Sequence, residues 1–274
     1  MNIQAVHAVF FSPTSTSRQV ATALAQALAA RLDSEVCSYD FTPPKNREQA
    51  PFFSEGDLVV LATPVYAGRV PNLMLPFIKA IKGQGALGIP VVLYGNRSYD
   101  DALMELGQLM TENGFLVVAA AAIVGQHSFS EVLAAGQPDA AVFKKLQDFS
   151  GKIWRKLDAD LERLKPVSLP GNDPIHPYFK PLGPQGTPID IRRVKPKTTS
   201  DCVQCKKCAV SCPMGAIDPE DARLITGICI KCHACVKGCP EAAKYFDDPD
   251  FVFHRQDIES RFASPLKPPE FYLN

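Results

Sequence analysis

The feature that most constrains this chain is a pair of cysteine runs near its C-terminus. Both read C-x-x-C-x-x-C-x-x-x-C-P, and run two (Cys229–Cys239) repeats run one (Cys202–Cys212) at an interval of 27 residues, which indicates an internal duplication. The runs hold eight of the nine cysteines, and Cys37 stands alone in the N-terminal half. Cysteines crowded at C-x-x-C spacing, in a chain without a recognisable secretory leader, indicate metal binding rather than a disulfide framework.

The spacing separates two kinds of metal site. Structural zinc usually takes two separated C-x-x-C pairs, whereas each run offers a triplet of cysteines at successive i+3 positions. The runs resemble the bacterial two-[4Fe–4S] ferredoxins, in which the fourth cysteine of one run ligates the cluster of the other run. The resemblance implies low-potential, one-electron transfer and two ligand sets: Cys202, Cys205, Cys208 and Cys239 for cluster I, and Cys229, Cys232, Cys235 and Cys212 for cluster II.

Composition and charge narrow the remaining function classes. The chain has 274 residues, 46% of them apolar, which is enough for two domains with a sizeable core. Its 29 basic and 29 acidic residues leave no net field for nucleic acid or an anionic membrane. The longest apolar run, Phe115–Val124, is far shorter than the ~18 residues of a membrane helix, and the N-terminus lacks a basic n-region. We therefore expect a cytoplasmic protein with no membrane span and no nucleic-acid partner.

Residues 1–165 alternate between strand-like and helix-like segments. Strands are predicted at 4–11, 35–41, 57–63, 89–95 and 115–125, and helices at 17–32, 71–82, 100–113 and 139–164. This alternation predicts an α/β fold, with a parallel sheet covered by helices on both faces. Five strands are typical of a flavodoxin-like, doubly wound sheet with strand order 2-1-3-4-5.

The second half of the chain changes character at residue 166. Eight prolines fall within residues 166–196, which predicts a stiff, extended linker that packs along a surface. We therefore divide the chain into four parts: a flavodoxin-like FMN-binding domain at 1–165, a proline-rich linker at 166–198, a small α+β two-[4Fe–4S] ferredoxin domain at 199–245, and a tail without clear periodicity at 246–274.

The loop after the first strand has the composition of a phosphate site. It reads SPTSTS (12–17) and leads directly into a helix, where backbone N–H groups and the helix dipole favour an anion. Its hydroxyls outnumber what helix capping requires, and the sequence contains neither a P-loop nor a G-x-G-x-x-G fingerprint. The loop resembles the flavodoxin phosphate loop, S/T-x-T-G-x-T, with Ser15 in place of the usual glycine. The resemblance implies that FMN phosphate is bound by Ser12, Thr14, Ser15, Thr16 and Ser17.

Two further loops extend the flavodoxin resemblance. TPVYAGRVP (63–71), after strand 3, would flank the isoalloxazine ring, with Tyr66 over one face and Gly68 able to turn its carbonyl to flavin N5. YGNRSYDD (94–101), after strand 4, would contact the pyrimidine edge, with Arg97 near N1. The alternatives are that Tyr66 is packing, that Gly68 is a turn, and that Arg97 pairs with an adjacent aspartate. The implied FMN-binding set is Pro64, Val65, Tyr66, Ala67, Gly68, Gly95, Asn96, Arg97 and Tyr99.

The two halves together resemble the flavodoxin–ferredoxin fusion proteins of anaerobic bacteria and archaea, over residues 1–245. The resemblance implies an electron carrier with FMN and two [4Fe–4S] clusters that serves protein redox partners. Two alternatives stay open: a flavin-dependent reductase of a quinone, nicotinamide or other small molecule, and a redox sensor. Neither an acid–base or nucleophile constellation nor a second nucleotide-binding domain is found in the sequence, so the carrier ranks first. Homo-oligomer formation is compatible with this reading.

Overall fold

The structure is a computed structural model that describes residues 3–159 and 164–274. The helix predicted at 139–164 includes residues 160–163, which lie outside the described residues. The helices are α1 (Thr16–Leu32), α2 (Leu75–Ala80), α3 (Ala102–Glu112), α4 (Ala140–Ala159), α5 (Lys207–Val210), α6 (Ala234–Lys237) and α7 (Pro249–Phe262). The strands are β1 (Ala5–Phe10), β2 (Glu35–Asp40), β3 (Asp57–Pro64), β4 (Leu87–Tyr94), β5 (Leu116–Val117), β6 (Ala120–Val124), β7 (Lys197–Thr198), β8 (Lys244–Tyr245) and β9 (Glu270–Tyr272). Among the described helices, none has the length and apolar character that crossing a bilayer demands.

The N-terminal domain has the expected doubly wound sheet. Its strands run in the order β2-β1-β3-β4-β6 and all these neighbours are parallel, which is the predicted 2-1-3-4-5 order. The fifth predicted strand is divided into β5 and β6, and the Nζ of Lys156 donates to the Val118 carbonyl between them, 2.8 Å away. The sheet also exceeds the predicted five strands, because β9 from the tail pairs antiparallel with β6 and covers an edge that would otherwise be open.

Alternating residues of the central strands belong to two separate hydrophobic cores, one on each face of the sheet. Val6 and Phe10 of β1 pack with α1 and α4 on one face of the sheet. Val9, on the opposite face, packs with α2 and α3. Side chains alternate between the faces of a strand, so a strand covered on both sides reads as a continuous apolar run. This layering brings the carboxyl ends of the parallel strands to one open edge.

The cysteine domain preserves its duplication in the backbone. β7 and β8 form a two-stranded antiparallel sheet that brings its two ends together. Helices α5 and α6 begin at equivalent positions of the two runs. The residues before them, Lys206 and His233, are both left-handed, with φ of 61° and 60°. Equivalent backbone turns therefore present the two cysteine triplets.

The linker and the tail both attach the cysteine domain to the N-terminal domain. The linker crosses that domain and forms backbone hydrogen bonds with it. The Val167 N–H donates to the Val117 carbonyl and the Phe179 N–H donates to the Ala67 carbonyl, each at 2.9 Å. After the cysteine domain the chain forms α7, which begins at the N-cap Asp248, and then returns to the sheet as β9. The tail, for which the sequence shows no period, thus contains a helix and a strand.

Candidate functional site

The eight cysteines of the two runs line two cavities. Cavity I, about 340 Å³ including its open mouth, is lined by Cys202, Cys205, Cys208 and Cys239. Cavity II, about 360 Å³ on the same measure, is lined by Cys212, Cys229, Cys232 and Cys235. Each cavity therefore collects three cysteines from one run and the fourth from the other. None of the eight forms a disulfide bond.

Backbone N–H groups point at several of these sulfurs. The Ala216 N–H donates to Cys212 Sγ and the Ala243 N–H to Cys239 Sγ, each at 3.3 Å and at equivalent positions of the duplication. Such bonds stabilise thiolates and tune iron–sulfur clusters. Burial raises the pKa of Cys232 and of Cys235 to about 12, so both are protonated until a metal displaces the proton. Four thiols around one space, with N–H donors to sulfur, fit a cubane cluster.

A third cavity, the switch-point pocket, lies where strand order reverses. It has about 470 Å³ including open solvent and is formed by the loops that follow β1, β3, β4 and β6. This is the ligand position of a doubly wound sheet. The predicted residues that it brings together are Ser12, Thr14, Thr16, Ser17, Pro64, Val65, Tyr66 and Gly95.

The hydroxyl-rich loop turns sharply at the residue that departs from the family pattern. Ser15 has φ of 69°, the left-handed region that glycine favours, and it does not line the pocket. Ser12 Oγ accepts from the Arg18 N–H at 2.9 Å. Among the described residues, the hydroxyls of Thr14, Thr16 and Ser17 have no hydrogen-bond partner, although all three line the pocket. Free hydroxyls at the start of α1 fit a phosphate.

The second loop is a tight turn, and only some of its predicted FMN-binding residues line the pocket. Tyr66 and Arg69 exchange both backbone hydrogen bonds (2.9 and 3.1 Å), and the residues between them, Ala67 and Gly68, have φ of 50° and 78°. This is the type I′ pattern. The Ala67 carbonyl accepts from the linker, and the Gly68 carbonyl accepts from the Asp101 N–H at 3.1 Å. The structure therefore brings Tyr66 to the pocket but not Ala67 or Gly68.

The third loop contributes Gly95 to the pocket, whereas Asn96, Arg97 and Tyr99 do not line it. Asn96 donates to the carbonyls of Phe262 (2.7 Å) and Pro265 (3.1 Å). Arg97 pairs with Asp100, the alternative assignment, and lies over a linker ring. Tyr99 lies 2.8 Å from the Glu270 carboxylate and from the Tyr272 hydroxyl. The tail therefore satisfies the polar side chains of Asn96 and Tyr99, whereas Arg97 pairs within its own loop.

His127 also lines the pocket, in the loop that follows the fifth predicted strand, although it is not part of the FMN-binding set that the flavodoxin resemblance implies. Its ring packs on Gly95, where an added Cβ would come within 2.2 Å of it. Its Nδ1 accepts from the Phe129 N–H at 3.1 Å, so the neutral ring carries its proton on Nε2. Burial lowers the pKa of His127 to about 3, with nearby cationic groups adding to the effect. In the sequence, its position after the fifth predicted strand is the feature that indicates a place near the pocket.

A family model for 4Fe-4S dicluster domains matches residues 201–244, which contain both runs. This match and the observed strand order decide the architecture. The chain joins a flavodoxin-like domain to a ferredoxin-type 4Fe-4S domain. This arrangement supports an electron-transfer role for the protein. No curated protein matches the chain.

Solved structures similar to the chain overlap mainly with its flavodoxin-like domain. An archaeal flavodoxin is 15% identical, with 57% of this chain and 99% of that chain covered, at a TM-score of 0.40. An NADH:FMN oxidoreductase in its apo form is 19% identical, with 56% and 89% covered, at 0.41. The flavodiiron protein of Giardia intestinalis is 16% identical, with 59% and 38% covered, at 0.33.

Proposed function

We propose that this protein is an electron carrier that binds one FMN and two [4Fe–4S] clusters and exchanges electrons with protein partners in the cytoplasm. The observation that supports this most is the presence of two four-cysteine cavities and a switch-point pocket in one chain. Bound FMN would supply one- and two-electron chemistry, and bound clusters would supply one-electron exchange.

The residues proposed to hold the flavin fall into two groups. The free hydroxyls of Thr14, Thr16 and Ser17 would bind the phosphate at the N-terminus of α1. Tyr66 and His127 would flank the ring system, and the Nε2–H of His127 is a donor that burial keeps neutral. These side chains would bind and orient the flavin at the mouth of the switch-point pocket.

The residues proposed to hold the clusters are those that line the two cysteine cavities. Cluster I would be bound by Cys202, Cys205 and Cys208 with Cys239, and cluster II by Cys229, Cys232 and Cys235 with Cys212. Proline follows the fourth cysteine of each run, where the chain leaves the cavity. The thiolates fix each cluster, and the backbone N–H donors to sulfur stabilise its negative charge.

The structure favours neither alternative function. A reductase would need a substrate space beside Ala67 and Gly68, but the Asp100 carboxylate fills the position that a Cβ of Gly68 would take, and the linker binds the Ala67 carbonyl. A sensor would use a tail that orders on reduction, whereas the tail is already folded as α7 and β9. The electron carrier is therefore the function that we put forward.

Anaerobic purification with iron, sulfide and flavin analysis tests this proposal. We expect about eight irons and about one FMN per chain, as two cubanes and one flavodoxin-like site require. Cys212→Ser should damage the cluster of run two and Cys239→Ser the cluster of run one, whereas Cys37→Ser, outside both runs, should keep the full iron content. Zinc in place of iron, or a holoprotein without flavin, would contradict the proposal.

A further inference from the structure

The two cysteine cavities differ in what surrounds them. The lining of cavity II reaches the flavodoxin-like domain at several points. Met214 and Ile230 of that lining pack against the second core of the flavodoxin-like domain, and the Arg47 guanidinium donates to the Pro213 carbonyl. Among the described residues, no hydrogen bond or ring contact joins the lining of cavity I to residues 3–159. Among the described residues, the contacts of this kind with the flavodoxin-like domain therefore come from the lining of cavity II.

An aromatic chain continues from cavity II to the switch-point pocket. His233 lines cavity II and is 7% exposed, and its ring centroid lies 5.0 Å from that of Phe129. Phe129 in turn lies 5.0 Å from the ring of His127, which lines the pocket. Lys237 spans the same gap, with its Nζ 3.2 Å from the His127 carbonyl oxygen. Three rings in contact thus join the two sites.

From these contacts we propose that cluster II is the electron partner of the flavin, that the ring chain His127–Phe129–His233 forms the contact between them, and that cluster I is the outer cluster that meets protein partners. This inference rests on the proposed function. The exchange moves one electron from the reduced group to the oxidised group and neither forms nor breaks a bond. Exposure agrees with the assignment, since the one exposed cysteine of the eight, Cys205, lines cavity I.

The internal duplication supplies a matched pair of variants for the test. Cys205→Ala and Cys232→Ala remove the second cysteine of each run, and each variant should retain about four irons. The readout is the relaxation of the flavin EPR signal by a paramagnetic cluster, which requires no turnover. The fast relaxation should persist in Cys205→Ala and be lost in Cys232→Ala. The reverse pattern, with FMN and the expected iron present, would overturn the inference and leave the proposed function intact.

A second variant keeps all eight cysteines. Phe129→Leu interrupts the ring chain without touching a proposed ligand, and Phe52→Leu, at a site that is 58% exposed, makes the same substitution on a remote surface. Iron and FMN contents should match the wild type in both. Flavin–cluster equilibration after rapid reduction should slow in Phe129→Leu and stay unchanged in Phe52→Leu. Equal rates in both variants would remove the ring chain from the proposed contact, whereas missing flavin or iron in the wild type would instead refute the proposed function.

Discussion

Replacing Glu105 with alanine should destabilise the flavodoxin-like domain and loosen the loop that carries Tyr66. Glu105, 6% exposed, accepts from Arg69 Nε at 2.7 Å, from Arg69 Nη2 at 2.5 Å and from the Val70 N–H at 2.9 Å. The Glu105 carboxylate raises the pKa of Arg69, which holds the guanidinium charged. The ion pair therefore fixes the turn at Tyr66–Arg69 on α3.

The size of the effect follows from burial. Removing one partner of a buried pair leaves an uncompensated charge, which costs about 3–5 kcal/mol. The Arg69 side chain keeps 17% of its surface and the Glu105 side chain 8%. Because water reaches part of the guanidinium, we expect the lower end, about 3 kcal/mol. The exposed pair Lys197–Asp247, with 62% and 45% of the side chains accessible, supplies the control, and Lys197→Ala should cost less than about 1 kcal/mol.

Native-state hydrogen exchange measures these differences without denaturing the cluster sites, on the amides of α3 and β4 for Glu105→Ala and on those of β7 and β8 for Lys197→Ala. The double variant Arg69→Met/Glu105→Leu should recover most of the loss, because it removes the stranded charge as well. Flavin affinity should fall in Glu105→Ala, since Tyr66 belongs to the loosened turn. A Glu105→Ala cost no larger than that of Lys197→Ala would refute the reasoning, because it would mean that water already solvates the pair.

Three further outcomes follow from the same contacts. Asn96 has φ of 64°, so Asn96→Gly removes its side-chain hydrogen bonds to the tail without backbone strain. The amides of the tail at 262–272 should then exchange about tenfold faster or more. Unchanged exchange would mean that other contacts hold the tail. The Cβ of Gly95→Ala would displace the ring of His127, which costs about 1–3 kcal/mol, so FMN binding should weaken about tenfold or more in a fluorescence titration. An affinity equal to that of the wild type would contradict the contact between Gly95 and His127. The pKa of His127 is lowered to about 3 by burial, so between about pH 3 and 6.5 the unfolded chain binds the extra proton, and stability should fall as pH drops below 6.5, less steeply in His127→Gln. His127 faces Lys237, Arg97, His254 and His233, and parallel pH profiles would assign the loss to the last two, whose pKa values burial also lowers.

The sequence predicts the parts of this molecule that depend on local patterns. The two cysteine runs repeat with their spacing intact, and their backbone turns repeat with them at Lys206 and His233. The alternation of apolar strands and amphipathic helices predicts the sheet order, because short right-handed connections leave few other topologies. The hydroxyls at 12–17 lie at the switch point for the same reason.

The tail lay beyond prediction because its contacts are long-range. β9 has three residues, too few for a period, and it pairs with β6, which lies about 150 positions earlier in the chain. Asn96, Arg97 and Tyr99 sit where a flavodoxin would contact its flavin, yet their side chains bind the tail and Asp100. Local propensity assigns the left-handed conformation to glycine, yet Ser15 adopts it because tertiary structure holds the loop in that conformation.

The measurement that tests the account most directly is the kinetics of flavin–cluster equilibration in the anaerobic holoprotein. Stopped-flow absorbance after partial reduction would follow the flavin and the clusters separately, over a range of protein concentrations. If cavity II and the switch-point pocket form one electron-transfer unit, equilibration is first order and its rate constant does not change with protein concentration. A rate that rises in proportion to protein concentration would show that electrons pass between molecules and would contradict the account.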